Sequence, residues 1–342
     1  METVAYYRGR TDMKSVGLTL GKFAPLHRGH QHVLRVAEDE MDHVVALIYD
    51  APEQTTIPLT KRADWIRRLH PKVEVIEGVS GPTVSGSSPH IMRVQEEYVM
   101  GLLNGRSITH FYSSEFYGEH MSRALSAIDR RVDERRTTVP ISGTRIRENP
   151  FAHRRFIDPI VYRDLVTNIA VLGAPSTGKT SLAMALAKRH RTQWMPEYGR
   201  EYWEANQVDR RLTPEQLVEI GQEHVRREDQ ALLECDRYLF TDTNALTTAI
   251  FAMHYHGDIH PELARLADAC VSRYDLFLLC ADDISYDDTW DRSGEVNRST
   301  MQAMIVDDLQ RRGIPFHLVS GGLEVRISQV AELLQGQWKL RV

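Results

Sequence analysis

The string GAPSTGKT at 173–180 matches G-x-x-x-x-G-K-[ST] in full. Gly173 and Gly178 let the loop of Ala174, Pro175, Ser176 and Thr177 wrap so that backbone N–H groups turn inward around the β- and γ-phosphates of a nucleotide. The helix that should follow, through Ser181, adds a favourable dipole. Lys179 neutralises phosphate charge, and Thr180 can ligate Mg²⁺. Such a cradle specifies a nucleotide but not a reaction. Asp242 ends an apolar run in YLFTDTN. A carboxylate there faces the phosphate site at the C-terminal edge of a parallel sheet, where it can hold Mg²⁺ or take a proton from an attacking hydroxyl; its plain alternative is a helix cap. Glu197 in MPEYGREYW is a rival base or a sugar-hydroxyl ligand, and the residues alone leave that choice open. The polar stretch DDTWDRSGEVNRS at 287–299 offers Arg292 and Arg298 as lid arginines able to close over a transferring phosphoryl group, with ordinary surface arginines as the alternative.

A second constellation lies near the N-terminus. GKFAPLHRGH at 21–30 holds His27 and His30 three residues apart where a helix should begin. Both imidazoles can face one phosphate group, and Gly29 removes the side chain that would block close approach. Gly21, Lys22 and Phe23 precede them, and Lys22 can add charge. This arrangement suits nucleotidyl transfer, because an acceptor phosphate is already a nucleophile and needs mainly orientation and charge stabilisation. ISGTRIR at 141–147 supplies Ser142, Thr144 and Arg147 as a second phosphate clamp. Two capping or core histidines, or a histidine pair for a metal, are the alternatives.

Apolar runs alternating with amphipathic segments must position these groups. Strands are expected over 16–20, 44–49, 73–77 and 109–112, then over 168–172, 193–195, 238–241, 276–280 and 316–319. Helices are expected over 29–40, 60–69, 92–103, 178–190, 214–235, 245–254, 261–271, 298–312 and 323–334. The alternation implies α/β architecture with parallel sheets. The expected organisation is a tail over 1–15, a first domain over 16–157, a linker over 158–167 and a second domain over 168–342. The chain of 342 residues has 42% hydrophobic and 26% charged residues, which is ordinary globular usage. A formal net charge of −5 argues against a general polyanion binder. Cys235, Cys270 and Cys280 fit no zinc or redox spacing, so a reduced, cytoplasmic chain is expected. No apolar run approaches 18 residues, so no membrane span is expected.

With both sites placed, the chain resembles the NadR-type bifunctional enzymes, which join a nicotinamide-nucleotide adenylyltransferase to a ribosylnicotinamide kinase. GKFAPLHRGH, ISGTRIRENPF, GAPSTGKT, EYGREY and the strand ending TDT stand in the family's order. The resemblance implies a Rossmann-like HxGH nucleotidyltransferase followed by a P-loop kinase. The kinase would phosphorylate nicotinamide riboside with ATP to give NMN, and the transferase would join NMN to AMP from a second ATP, giving NAD and pyrophosphate. Both steps would use Mg²⁺. His27, His30 and Arg147 would bind the transferase ATP, and Lys179, Thr180 and Asp242 would serve the kinase, with Arg292 and Arg298 on its lid. Longer members begin with a helix-turn-helix repressor domain; only about 15 residues precede the first strand here, so no DNA binding is expected. A homo-oligomer is left open. The family usually places a Trp in the loop at 78–90 to stack on the nicotinamide ring; this loop has none, and the nearest is Trp65. A riboflavin kinase joined to a flavin adenylyltransferase would lack the P-loop. A non-catalytic NAD or ATP sensor, or a chain in which only the kinase half is catalytic, would keep the binding strings and lose one or both reactions.

Overall fold

A computed structural model describes residues 14–82, 88–114, 118–208, 212–285, 295–337 and 339–340. The tail over 1–13, part of the loop at 78–90, and Arg292 lie outside the described residues. Contacts divide the chain into one unit of Met1–Val161 with Leu340–Val342 and another of Tyr162–Lys339.

The first unit runs β1 (Val16–Gly21), α1 (Arg28–Glu40), β2 (His43–Tyr49), α2 (Leu59–Leu69), β3 (Glu74–Gly78), α3 (Pro89–Leu103), β4 (His110–Ser113), α4 (Gly118–Ala124), β5 (Ile128–Arg131) and α5 (Gly143–Glu148). Its strands form a parallel sheet in the order β3-β2-β1-β4-β5. Five consecutive residues of β2, from Val44 to Ile48, are buried, as a strand covered on both faces requires. Leu18, Val45, Leu47 and Phe111 join Val99 and Leu103 of α3 in the core. The chain leaves β1 toward β2 and later returns to its other side as β4, so the loop after β1 opens at the switch point.

Helix α6 (Pro159–Leu165) spans the division. The second unit continues with β6 (Thr167–Leu172), α7 (Lys179–His190), β7 (Trp194–Met195), α8 (Tyr198–Asn206), α9 (Pro214–Glu234), β8 (Tyr238–Asp242), α10 (Ala245–His256), α11 (Pro261–Arg273), β9 (Leu276–Cys280), α12 (Glu295–Arg311), β10 (His317–Val319) and α13 (Leu323–Leu333). Its sheet is also parallel, in the order β10-β9-β6-β8-β7. Every residue of β6, β8 and β9 is buried. Helix α9 starts with a capping box between Thr213 and Gln216.

The expected α/β architecture on two parallel sheets is therefore present, and each expected strand occurs. The sequence reading omitted β5, α4, α6 and α8. Strand β5 reads Ile-Asp-Arg-Arg at a sheet edge, with Ile128 60% exposed, so it shows no apolar alternation. Among the described residues no helix is long and apolar enough to cross a membrane.

Candidate active sites

The loop after β1 is built around His27. Its extended backbone makes it the N-cap of α1, and its Nδ1 accepts from the backbone N–H of Gly29 at 3.1 Å and of His30 at 3.4 Å. That acceptor role places the ring proton on Nε2. A Cβ added at Gly143 would lie 3.8 Å from this Nε2, so the donor faces the start of α5. The His30 ring stacks on His27 at 3.7 Å between centroids, and Phe23 meets His30 edge-on at 4.9 Å. A Cβ at Gly29 would sit 2.9 Å from His27 Cε1, so glycine there leaves room for the imidazole itself.

Both histidines are neutral near pH 7. Burial pushes His27 well down, with His30, Arg136 and Arg147 adding to the effect. Burial, then Arg136 and Arg147, brings His30 down to about 4. Ser142 caps α5 by accepting from the Arg145 N–H at 3.3 Å. Arg147 donates to the Ala24 carbonyl at 3.3 Å and to Thr144 Oγ1 at 3.2 Å, which ties α5 to the loop after β1. A cavity of about 50 Å³ touches His27, Gly29, His30, Ser142 and Gly143, and also Arg136. Lys22, at the end of β1 beside Gly21, pairs with Glu53 at 2.5 Å. The buried Arg62 donates to the carbonyls of Lys22 and Tyr49 and fixes the root of the loop.

Arg136 escaped the sequence reading. It sits at φ +53° in a turn organised by Asp133, whose carboxylate accepts the backbone N–H groups of Thr137, Thr138 and Val139 at 2.8–3.0 Å. Trp65 is fully buried in α2, which removes it as a contact for a substrate ring.

In the second unit the Gly173–Thr180 segment joins β6 to α7 as anticipated. Gly173 has φ +147°, and a Cβ there would meet Thr177 Oγ1 at 2.6 Å and the Cys280 carbonyl at 3.0 Å. Gly178, at φ +80°, caps α7. Ala174 offers its N–H to Gln302 Oε1 at 2.8 Å and its carbonyl to Thr177 Oγ1 at 2.8 Å and Lys179 Nζ at 3.0 Å. Arg326, 2% exposed, donates to the carbonyls of Thr177, Gly321 and Ala281 and pairs with Asp283. Neither Gln302 nor Arg326 stands out in the sequence.

Asp242 ends β8 with no exposed surface. Its Oδ2 accepts from Thr180 Oγ1 at 2.5 Å, and its Oδ1 has no partner among the described residues. Burial and the charge of Glu197 raise its carboxyl to about 6, against the opposing pull of Lys179 and Thr180. An oxygen left bare beside a threonine hydroxyl is a donor set that fits a hard divalent cation. Glu197 lies at the N-cap position of α8, 3.7 Å from Arg200.

A cavity of about 720 Å³ runs from Pro175, Ser176, Lys179, Thr180 and Ser181 past Glu197. Its far walls include Trp203 and Phe251, aromatics that the sequence reading left unassigned. Arg298 falls on α12, at the start of the helix expected over 298–312, and not on a free loop. It is 3% exposed, and both its Nη atoms donate to the Ile284 carbonyl at 2.9 Å. His254, His256 and His260 make no metal cluster; among the described residues none is found.

Residues 18–149 match the Cytidylyltransferase-like family and residues 168–326 the AAA domain family. The chain is 27% identical to the trifunctional NAD biosynthesis/regulator protein NadR of Salmonella typhimurium, over 94% of this chain and 83% of that protein. It is 28% identical to the protein of that name from Escherichia coli, over 89% and 78%. A NadR crystal structure in complex with NAD and AMP-PNP superposes with a TM-score of 0.54 at 22% identity, over 95% of this chain and 96% of that one. A NadR structure in complex with NR gives 0.56 at 21%, with the same coverage. These two likenesses establish a common fold.

Proposed function

We propose, for this chain of the NadR type, two ATP-dependent steps of NAD synthesis: phosphorylation of nicotinamide riboside to NMN, and adenylylation of NMN to NAD with release of pyrophosphate. The observation behind this reading is that one chain holds two separate phosphate-gripping constellations of different chemistry. One is a neutral histidine pair at helix starts, and the other a P-loop with a buried carboxylate.

In the kinase half, the walls that carry Trp203 and Phe251 suit a flat ring, and the riboside 5′-hydroxyl would reach toward Thr180 and Glu197. Glu197 lines this cavity and is the base in our reading; it takes the hydroxyl proton as the 5′-oxygen bonds to the γ-phosphorus and ADP leaves. Thr180 and Asp242 would hold Mg²⁺, which when bound neutralises charge on the β- and γ-phosphates. Lys179 and the loop N–H groups cradle those phosphates. Arg298 fixes the Ile284 end of the cavity, and Arg292 would belong to the lid.

In the transferase half, a phosphate oxygen of NMN bonds to the α-phosphorus of ATP while the bond to the β-phosphate oxygen breaks. The Nε2–H of His27, the His30 ring, the N–H groups at the start of α5, and Arg136 and Arg147 stabilise the charge that moves onto pyrophosphate. Gly21, Lys22 and Phe23 form the edge of this grip, and Ser142 and Thr144 position Arg147. Lys179→Ala is expected to abolish ADP formation from nicotinamide riboside while NAD formation from NMN continues. Loss of both activities in a folded variant would refute independent sites.

A further inference from the structure

An arginine that the sequence reading left unassigned stands beside the proposed base. Arg200 lies in the first turn of α8, three residues after Glu197 and so on the same side of the helix. It lines the large cavity together with Lys179, Thr180 and Glu197, and among the described residues it is the arginine that does so. Its Nη2 is 3.7 Å from Glu197 Oε2, beyond hydrogen-bond reach, and its side chain makes no hydrogen bond among the described residues. Arg298 differs, because both its Nη atoms are spent on the Ile284 carbonyl. A loose ion pair with the arginine 47% exposed contributes little to stability. The first turn of a helix is also a place that the macrodipole disfavours for a cation. Folding thus gains little from Arg200, and its donors remain available at the cavity wall. Its charge also reaches the buried Asp242, where it works with Lys179 against burial and Glu197. Both carboxylates of the site are therefore within electrostatic range of this guanidinium.

The kinase reading fixes where the transferring group lies. A base takes a proton from a hydroxyl about 2.6–3.2 Å away. The hydroxyl oxygen attacks a phosphorus about 3–3.5 Å beyond it. The oxygens of that phosphoryl group then lie within reach of a guanidinium that stands 3.7 Å from the base. The planar fork of an arginine matches two phosphate oxygens at once.

We infer that Arg200 is a catalytic residue of the kinase, which binds the oxygens of the γ-phosphoryl group as that group passes from ATP to the 5′-hydroxyl. This inference rests on the reading of Glu197 as the base. The bond from the 5′-oxygen to the γ-phosphorus forms, and the bond from that phosphorus to the β,γ-bridging oxygen breaks. The hydroxyl proton passes to Glu197, and ADP leaves with the electron pair. Negative charge on the transferring group is spread over its equatorial oxygens in the transition state, where a positioned cation gains most.

The test measures ADP release from ATP, Mg²⁺ and nicotinamide riboside in the full chain. Calorimetry measures ADP binding with and without aluminium fluoride, which mimics the phosphoryl group in transfer. Arg200→Met is expected to lower kcat by about 10²–10³, while KM for ATP and for the riboside changes less than about threefold. Arg200→Lys, measured in the same way, keeps the charge without the fork and is expected to recover about tenfold of that loss. In the wild type with riboside and Mg²⁺ present, aluminium fluoride is expected to tighten ADP binding at least about a hundredfold. Arg200→Met is expected to keep the affinity for ADP alone, which also reports that the unit is folded, and to lose most of the tightening. A kcat within about threefold of the wild type, or a loss confined to KM, would overturn the inference. So would a lower kcat with the tightening intact: the fluoride complex needs no base, and Arg200 would then act only by orienting Glu197. A wild type that releases no ADP with the riboside, or a fully active Glu197→Gln, would instead refute the kinase reading and its base.

Discussion

Asp242→Asn should make the second unit more stable while destroying its kinase activity. Asp242 has no exposed surface, and its carboxyl rises from 3.8 to about 6 in the folded chain. A carboxyl raised by folding binds its proton more tightly in the native state, so ionising it costs stability. The cost is absent below about 4, grows as pH climbs from 4 to 6, and is complete above that. A rise of this size corresponds to about 3 kcal/mol. An asparagine keeps an oxygen for the Thr180 hydroxyl and carries no charge, but its NH₂ inherits the partnerless position of Oδ1. The net gain should therefore be about 1–3 kcal/mol at pH 7.5. For a unit of this size each kcal/mol moves Tm by about 2–4 °C. Calorimetry of both proteins in a chelating buffer at pH 5.0, 6.0 and 7.5 measures the gain, and ADP release with nicotinamide riboside measures the loss. The gain should shrink toward pH 5. Adding Mg²⁺ and an ATP analogue should favour the wild type, because ligand binding stabilises the chain that binds it. A variant less stable at pH 7.5, or a gain that does not depend on pH, would refute the argument that burial and Glu197 hold this carboxylate at a cost.

Three further outcomes follow from the geometry. His30→Ala should lower NAD formation from NMN by about 10²–10³ and leave riboside phosphorylation unchanged, which parallel assays of the two reactions read directly. Because burial lowers the His30 imidazole from 6.5 to about 4, the stability it contributes is lost as pH falls from 6.5 toward 4; urea titrations of wild type and variant across that window should converge as the pH drops. Gly29→Ala brings a Cβ within 2.9 Å of His27 Cε1, so it should displace that ring and cost NAD formation at least about tenfold, with a crystal structure showing the imidazole moved. Arg326→Leu frees the Thr177 carbonyl from its buried donor and should raise the kinase KM for ATP about tenfold with little change in KM for the riboside, a split that general unfolding would not give.

The strands were legible because their apolar runs are short, contiguous and bounded by turns; each observed strand end among those anticipated lies within one residue of its expected place. The helices were less sharply bounded. Helix α3 begins at Pro89 with a Ser88 cap, three residues before the apolar pattern suggests, because caps are polar and carry no periodicity. Helix α8 was missed: Gly199 interrupts its propensity, and none of its side chains is fully buried.

The sequence alone placed the P-loop string and the histidine pair at their helix starts. A P-loop and a capped histidine pair are each built from a few adjacent residues whose spacing dictates where the N–H groups and rings point. Gly173, Gly178, Lys179, Thr180, His27, Gly29 and His30 could be read without knowing what lies across the fold. Tertiary structure decided the rest. Arg326 reaches the Thr177 carbonyl, and Arg136 lines the cavity beside His27 and His30, each from a segment distant in sequence that no local pattern marks. The raised carboxyl of Asp242 comes from its burial and the charge of Glu197, both set by tertiary packing.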